Sequence, residues 1–250
     1  MSHELPPPVE RVVDLVAGLP GVVAVVLGGS RATRSATADS DWDLGVYYRG
    51  MPDLTRLAAL GEVHAPGSWG RLMNGGAWLS VDGIRVDALL RDLDVVEHWS
   101  AEAADGRFEV DGLLGYLAGF PTYTLTAELA SSVLLLGELA APTDYPAALA
   151  AAAPPNWRFR RDFALSHARR AAELGNDVVA LGQLARACVE EAHARHCERR
   201  TWVLNEKRIF AGTGLSPVLP LGDAGDLGTV GDLGTVGDLV RTVADRLRSG

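Results

Sequence analysis

Long hydrophobic runs and cysteines are scarce in this chain of 250 residues. No apolar run reaches the roughly 18 residues that a membrane-spanning helix needs. The opening residues, MSHELPPPVERVVDL, lack the basic flank and apolar block of a signal peptide, so we expect a cytoplasmic protein with no membrane partner. The two cysteines, Cys188 and Cys197, lie in a segment whose helical periodicity turns them to opposite faces, which predicts free thiols.

Positive charge is also in short supply. The chain has 23 Lys and Arg against 32 Asp and Glu, which gives a formal net charge of -9. A protein that binds nucleic acid unaided presents a basic face to the phosphates, so the charge argues against nucleic acid as a partner. It favours cationic small molecules, although surface acids also serve simply to keep a protein in solution.

Strand signals are concentrated in the first half of the chain. After a helix predicted over residues 9–18, the β-branched run Val22–Leu27 is bounded by glycine and predicts a buried strand. The segment DWDLGVYY predicts a second strand, and GGAWLSVDGIRVDALLRD predicts two more around a tight turn at Asp82 and Gly83.

Alanine and leucine dominate from about residue 93 onward. Their spacing predicts helices over residues 125–139, 159–174 and 178–199, which are separated at APTDYP, AAAPPN and LGND. We therefore predict an α+β fold, with a small mixed-sheet domain and its flanking helices over residues 1–117 and an all-helical domain over 118–250. A repeat, GDLGTVGDLGTVGDL, extends from Gly225 to Leu239 and is too short to build a solenoid, so we interpret it as a surface loop.

A glycine turn and two carboxylates share the segment GGSRATRSATADSDWDLG. Gly28 and Gly29 allow a tight turn and close approach to a ligand, and Ser30 stands at the expected cap of a helix whose N–H groups face an anion. Asp41 and Asp43 are two residues apart in a predicted strand and therefore point to one face. Mg²⁺ prefers such oxygen ligands and would relieve their repulsion. A solvated strand end with two surface acids is the alternative.

A third acid lies in the later strand GIRVDALL. Asp87 points away from the apolar face formed by Ile84, Val86 and Ala88, and a charge in the middle of a strand is costly without a partner or a metal. If this strand lies beside the first Asp strand, three carboxylates meet. Such a triad suits the two metal ions of in-line phosphoryl or nucleotidyl transfer.

The order Gly-Gly-Ser, then Asp-x-Asp, then a strand aspartate resembles the nucleotidyltransferase superfamily typified by DNA polymerase β. A small catalytic domain followed by a helical bundle is similar to the adenylyltransferases that modify aminoglycosides and lincosamides. The resemblance implies that Gly29 and Ser30 bind a nucleoside triphosphate such as ATP, with Gly28 supporting the turn.

The same resemblance implies roles for the acids. Asp41 and Asp43 would bind two Mg²⁺ ions, and Asp87 would bind the catalytic ion and help to deprotonate the attacking hydroxyl. The family often has a glycine four residues after the serine, where this chain has Arg34; the arginine either crowds the turn or reaches a phosphate. Lys207, the only lysine of the chain, stands where related transferases supply a lysine to the triphosphate, and a solvated lysine is the alternative.

Several other side chains have a functional and a structural interpretation. General-base candidates for the acceptor hydroxyl, which otherwise face solvent, are Glu128, Glu190 and Glu191. Tryptophans that stack on a substrate or simply pack in a core are Trp69, Trp78 and Trp157. Histidines on predicted helices without a persuasive zinc-ligand spacing are His167, His193 and His196.

The acids, the glycine turn and the resemblance together lead us to expect a Mg²⁺-dependent nucleotidyltransferase. It would transfer a nucleoside monophosphate, AMP from ATP in the first instance, to a hydroxyl of a small-molecule acceptor such as an aminoglycoside-like antibiotic, and release pyrophosphate. Two alternatives stay open: a transferase of the toxin-antitoxin type that modifies a protein or tRNA, and a non-catalytic nucleotide-binding regulator.

Overall fold

The computed structural model describes residues 5–142, 144–215 and 236–248. The chain divides into two compact units: unit 1 is Met1–Glu102 with Thr122–Asp144, and unit 2 is Ala103–Pro121 with Tyr145–Gly250. A mixed α/β unit and a helical C-terminal region confirm the predicted fold class. None of the described helices combines the length and the apolar character needed to cross a bilayer.

Unit 1 contains both helices and strands, whereas the described elements of unit 2 are mostly helices. In chain order they are α1 (Pro7–Ala17), β1 (Val22–Leu27), α2 (Gly29–Ala32), β2 (Trp42–Tyr48), β3 (Gly61–His64), β4 (Gly75–Val81), β5 (Ile84–Asp92), α3 (Leu93–Ala104), β6 (Val110–Asp111), β7 (Phe120–Pro121), α4 (Thr124–Ser131), β8 (Val133–Gly137), α5 (Ala147–Glu173), α6 (Asp177–Glu198) and α7 (Val236–Arg248).

A six-stranded sheet with the order β3-β4-β5-β2-β1-β8 forms the centre of unit 1. β2 and β5 are parallel, and the other neighbours are antiparallel. One face of the sheet packs on the apolar stripe of α1, and aliphatic and aromatic side chains form the core between them. The helix contributes Val9, Val12, Val13 and Val16.

Local sequence rules predicted the four strands that surround the site. The predicted strand Val22–Leu27 is β1 without any change of bounds, and DWDLGVYY forms β2. Positive φ angles of 51° at Asp82 and 78° at Gly83 show why an Asp-Gly pair joins β4 to β5, since a type I′ hairpin needs both central residues in that region.

Two of the predicted helix limits are wrong. The helix predicted over residues 125–139 ends at Ser131, and β8 follows and pairs with β1, because the open edge of β1 outweighs the helix propensity of a leucine run. The break predicted at AAAPPN does not occur, since α5 continues through Pro154 and Pro155. A proline has no N–H, so Pro154 and Pro155 cannot donate to the carbonyls of Ala150 and Ala151, four residues earlier. Both alanines are solvent-accessible, so water can replace the lost hydrogen bonds.

Unit 2 is built on the long helices α5 and α6, against which α7 packs. Trp157, Leu165 and Leu184 are fully buried between them, and α7 adds Val243 to the core. Cys188 and Cys197 are buried and not joined to each other, as predicted. Most of the duplicated repeat, residues 225–235, lies outside the described residues.

Candidate active site

The parallel pair of strands β2 and β5 brings two of the predicted acids together. Asp43 is the register partner of Asp87, so their side chains leave the sheet side by side on the same face. The opposite face at this point consists of the buried neighbours Leu44, Val86 and Ala88. Both carboxylates are therefore carried by paired strands of the sheet, which orient them without help from a flexible loop.

The glycine turn lies against the first of these carboxylates. The Gly28 N–H donates to the Asp43 carbonyl over 2.8 Å, which continues the β1–β2 ladder by one residue. Gly29 has a φ of 59°, and a Cβ at this position would overlap the carboxylate oxygen of Asp43. Glycine is thus required at position 29 both for the left-handed backbone and for the close approach to the acid.

Ser30 is not the helix cap that the sequence predicted. The four-residue helix α2 begins at Gly29 and its N-cap is Gly28, whose extended backbone has φ −114° and ψ −161°. Ser30 consequently lies inside the first turn, and its carbonyl accepts from the Ser35 N–H at 2.8 Å. The segment nevertheless follows β1 directly and stays beside Asp43, where the prediction needs it.

Asp41 precedes the first residue of β2 rather than lying within the strand. Its backbone is held by Arg31, whose Nε donates to the Asp41 carbonyl over 3.0 Å and whose guanidinium also donates to the Ser40 carbonyl. The same guanidinium lies 4.2 Å from the centre of the Trp42 ring, a cation–π distance. Arg31, which sequence reasoning missed, therefore ties the glycine turn to the entrance of β2.

The donor set fits a divalent cation at the Asp43–Asp87 pair. Two carboxylates in register supply the hard oxygen ligands that Mg²⁺ prefers, and substrate phosphates ordinarily complete its shell. Across the residues that the structure covers, no three His, Cys, Asp or Glu side chains are grouped closely enough to hold a metal ion. The pair is therefore assembled in the sheet, whereas a three-acid arrangement with Asp41 stays a prediction.

Arg34 has a backbone conformation that glycine adopts more readily than arginine. Its φ is 57°, in the left-handed region that glycine enters freely and other residues enter at a cost of about 1–2 kcal/mol. The arginine side chain is exposed. Arg34 therefore adopts a backbone conformation that glycine would take without strain.

An aromatic cluster occupies the other side of the acids. Trp78 on β4 is the register partner of Asp87, and 47% of it is exposed, so it is not the core residue that was the simpler expectation. The Trp69 ring is stacked on it with centroids 5.3 Å apart and a 26° angle between planes. His64 meets Trp78 edge-on at 4.5 Å.

The loop that carries Trp69 is fastened at both ends. Asn74 accepts from the Gly67 N–H over 2.8 Å, and its own carbonyl accepts from the Trp69 N–H over 2.9 Å. Gly76 has no side chain where the Trp69 ring covers the sheet, because a Cβ there would come within 3.0 Å of the ring. The position of Trp69 is therefore fixed by packing before any ligand binds.

A partly buried ion pair lies further along the same face of the sheet. Arg91 donates to both carboxylate oxygens of Glu128 over 2.6 and 2.8 Å, and also to the Met73 carbonyl over 3.0 Å. Burial, reinforced by Glu128, raises the pKa of the neighbouring Tyr47. Glu128 thus has a structural role in anchoring α4 to β5, rather than facing solvent.

The remaining acid candidates belong to unit 2 and are buried. Glu191 accepts from Arg161 over 2.6 Å and from Arg195 over 2.9 Å, and it is 1% exposed. Glu190 accepts from Arg186 over 2.9 Å, and burial raises its pKa. The expectation that these acids face solvent is wrong, because arginines on α5 and α6 bring matching charges into the unit.

Three further predicted residues also belong to unit 2. Trp157 is fully buried and is stacked on the His193 ring at 4.3 Å, which confirms its interpretation as a core residue. Lys207 is exposed on a 3-10 turn, Glu206–Arg208, and its N–H donates to the Asn205 side chain over 3.0 Å. A contact of Lys207 with a triphosphate stays a prediction.

No protein-family model and no curated protein matches the chain. Among solved structures, it is similar to a nucleotidyltransferase-like protein from Exiguobacterium sibiricum 255-15. The two share 12% identity at a TM-score of 0.47, over 96% of this chain and 72% of the other. At this level of similarity neither a reaction nor a substrate is transferred from one protein to the other.

Proposed function

We propose that this chain is a Mg²⁺-dependent nucleotidyltransferase that moves AMP from ATP onto a hydroxyl of a small molecule. The observation that carries the proposal is the register of Asp43 with Asp87, together with the contact of Gly29 on the Asp43 carboxylate. A glycine turn and a pair of acids so close to each other suit one triphosphate, because phosphates and carboxylates can share the same cation.

Each part of the chain has a chemical task in this reaction. The turn binds the phosphates through the backbone N–H groups of Gly29 and Ser30, while Gly28, whose N–H donates to the Asp43 carbonyl, supports the turn. Asp43 and Asp87 would hold the cation, with Asp41 as a further ligand. When bound, Mg²⁺ neutralises charge on the phosphates and lowers the pKa of a nearby hydroxyl.

The bond changes balance without a covalent enzyme intermediate. The acceptor oxygen forms a bond to the α-phosphorus, the bond from that phosphorus to the bridging oxygen breaks, and pyrophosphate leaves with the electron pair. Asp87 lies on β5, one strand further than Asp43 from β1 and its glycine turn, and we assign to it the proton of the attacking hydroxyl.

A polymer substrate is the weaker candidate. The net charge of -9 opposes tRNA, whose binding rests on phosphate contacts with lysine and arginine. Transfer to a protein side chain has no charge argument against it and is kept as an outcome of the test. A regulator that only binds nucleotide would have no need for two acids in register beside the turn.

The test compares the wild type with Asp43→Asn and Asp87→Asn, each nearly isosteric and uncharged. Purified proteins are incubated with ATP, Mg²⁺ and a panel of aminoglycosides, lincosamides, tRNA and cell protein, and pyrophosphate release and labelled AMP transfer are measured. We expect each variant to lose at least about 100-fold in rate. Asp39→Asn, in the exposed loop before β2, is the matched control and should retain activity. Equal rates for the wild type and the Asp43 variant would refute the proposal.

A further inference from the structure

Three successive main-chain carbonyls in the loop before β2 accept hydrogen bonds from arginine side chains. The Arg85 Nη2 donates to the Asp39 carbonyl over 2.9 Å. Arg31 uses two donors, its Nε to the Asp41 carbonyl over 3.0 Å and its Nη2 to the Ser40 carbonyl. Arg31 and Arg85 together form an arginine brace on the loop that carries Asp41.

The arginine brace joins this loop to the other parts of the candidate site. Arg31 directly follows Ser30 in the glycine turn, and Arg85 lies on β5, two residues before Asp87. Residues two apart in a strand point to one face, so Arg85 and Asp87 leave β5 on the same side. The loop is therefore tied both to the turn and to the strand that carries Asp87.

The contacts of the brace leave the ligand atoms of Asp41 to a cation. Both arginines donate to carbonyl oxygens of the loop, and the Arg31 Nε meets Asp41 at its carbonyl. A guanidinium paired with the carboxylate itself would compete with Mg²⁺ for the same oxygens. The brace thus fixes the main chain of Asp41 and leaves its side chain to rotate.

The loop is also organised by its own polar groups. The Thr37 N–H donates to the Ser40 Oγ over 2.9 Å, and the Ser40 N–H donates back to the Thr37 carbonyl over 3.2 Å. The Trp42 ring lies against the Arg31 guanidinium at 4.2 Å and restricts its plane. A loop held at these points needs little further ordering when a ligand arrives, which lowers the entropic cost of binding.

We infer that Arg31 and Arg85 are positioning residues that hold the main chain of Asp41 within reach of the cation at Asp43 and Asp87. The inference rests on the proposed function, which assigns the cation to these acids. The Cα atoms of Asp41 and Asp43 are two residues apart, at most about 7 Å. With the main chain fixed, rotation of one side chain is enough to bring Asp41 to the cation as a third ligand.

The two arginines of the brace are not equivalent. Arg31 uses two donors of fixed spacing on successive carbonyls, a geometry that a planar guanidinium supplies and an ammonium group does not. Arg85 uses one donor. Lysine should therefore replace Arg85 and fail to replace Arg31.

A Mg²⁺ titration without ATP or an acceptor tests the brace independently of catalysis. Thermal unfolding of the full chain at increasing Mg²⁺ concentrations gives the Kd of each variant. We expect Arg31→Ala and Arg31→Lys to weaken Mg²⁺ binding about tenfold, because each loses a contact that orients a metal ligand. Arg85→Ala should weaken it about threefold, and Arg85→Lys should restore the wild-type Kd. Arg56→Ala, at an exposed arginine of the 3-10 turn Thr55–Leu57, is the matched control.

A double-mutant cycle shows whether the brace acts through Asp41. Asp41→Asn removes the ligand, so Arg31→Ala should change the Kd for Mg²⁺ by less than about twofold in that background. A tenfold effect that persists without Asp41 would overturn the inference, and so would a wild-type Kd in Arg31→Lys. Arg85 is exposed, and its two variants carry the test if Arg31→Ala does not fold.

Kinetics distinguish positioning from a general loss of folded protein. Saturating Mg²⁺ itself holds Asp41, so Arg31→Ala should keep kcat within about threefold of the wild type while the Mg²⁺ concentration for half-maximal rate rises about tenfold. A variant that only loses folded protein would lower kcat and leave the half-maximal Mg²⁺ concentration unchanged, and that result would also overturn the inference.

The two proposals fail in different ways. If Asp43→Asn releases pyrophosphate as fast as the wild type, nucleotidyl transfer at these acids is refuted. If that variant is inactive but Arg31→Ala retains the wild-type Kd for Mg²⁺, the proposed function stands and the arginine brace is refuted.

Discussion

Asp43 and Asp87 are direct partners in the parallel pairing of β2 with β5, and this pairing is the geometric centre of the candidate site. The neighbours of the two acids differ: a glycine turn lies next to Asp43, and the indole of Trp78 lies next to Asp87. The acids thus lie between the glycine turn and a half-exposed tryptophan.

Magnesium should stabilise the wild type through this pair. At a Mg²⁺ concentration tenfold above its Kd, binding adds about 1.4 kcal/mol to the free energy of unfolding, which corresponds to a rise of about 4 °C in Tm for a chain of this size. Thermal unfolding followed by circular dichroism measures the effect. Asp43→Asn should abolish the rise and Asp39→Asn should preserve it, whereas an undiminished rise in the Asp43 variant would place the ion elsewhere.

Gly29→Ala and Gly28→Ala should differ sharply although they are neighbours. A methyl group at position 29 overlaps the Asp43 carboxylate and requires a left-handed alanine, so we expect a loss of at least about 2 kcal/mol in stability and a loss of ATP binding. At position 28 the nearest atom to a new Cβ is 3.7 Å away and φ is negative, so alanine should be tolerated. Urea denaturation and calorimetric ATP titration of both variants provide the comparison, and equal behaviour would contradict the close packing.

Arg34→Gly should make the protein more stable. It removes the strain of a left-handed arginine, and after the greater entropy of glycine in the unfolded chain is subtracted, a gain of about 0.5–1 kcal/mol remains. Ala36→Gly, at an exposed position without positive φ, is the control and should be destabilising. Chemical denaturation curves decide the sign, and a loss of stability in Arg34→Gly would show that the guanidinium has a contact worth more than the strain.

Unit 2 should become less stable as the pH falls below about 6.5. Burial, with a smaller contribution from His196, lowers the pKa of His193 to about 3, from 6.5 in an exposed histidine. The unfolded state therefore binds the extra proton between these values, and stability that is present above pH 6.5 is progressively lost toward pH 3. Between pH 7 and pH 5 the expected loss is about 2 kcal/mol.

Two substitutions isolate that histidine. His193→Phe keeps a ring against Trp157 and removes the titrating group, so it should flatten the pH dependence of the free energy of unfolding. His167→Gln changes an exposed histidine and should leave the slope as in the wild type. An unchanged slope in His193→Phe would assign the pH dependence to other groups.

The elements that sequence alone predicted well are those set by local rules. β1 is a β-branched run between glycines, and the β4–β5 turn is an Asp-Gly pair, so neither needs distant residues to define it. β8 depends on the unpaired edge of β1, more than a hundred residues earlier in the chain, and its leucines read equally well as helix. The periodicity of the segment does not show that β1 has an open edge with which these leucines can pair.

The candidate site shows the same limit. The acids and the glycine turn were visible as residue types, but the register that sets Asp43 against Asp87 is a property of the sheet. Trp78 was visible only as one of several tryptophans, and its exposure in β4 is known from the structure alone. Glu191 was misjudged because its arginine partners are contributed by α5 as well as by its own helix.

Because β8 belongs to the sheet of unit 1, the sheet is complete only when the chain extends at least to Gly137. The chain leaves unit 1 after Glu102, contributes to unit 2, and only then supplies the strand that covers the edge of β1. A fragment that stops at residue 117 would expose the Ala24–Leu27 edge, a template for intermolecular strand addition, and should aggregate. On the ribosome, the sheet likewise stays incomplete until Gly137 has emerged from the exit tunnel, so unit 1 cannot mature as an independent N-terminal module.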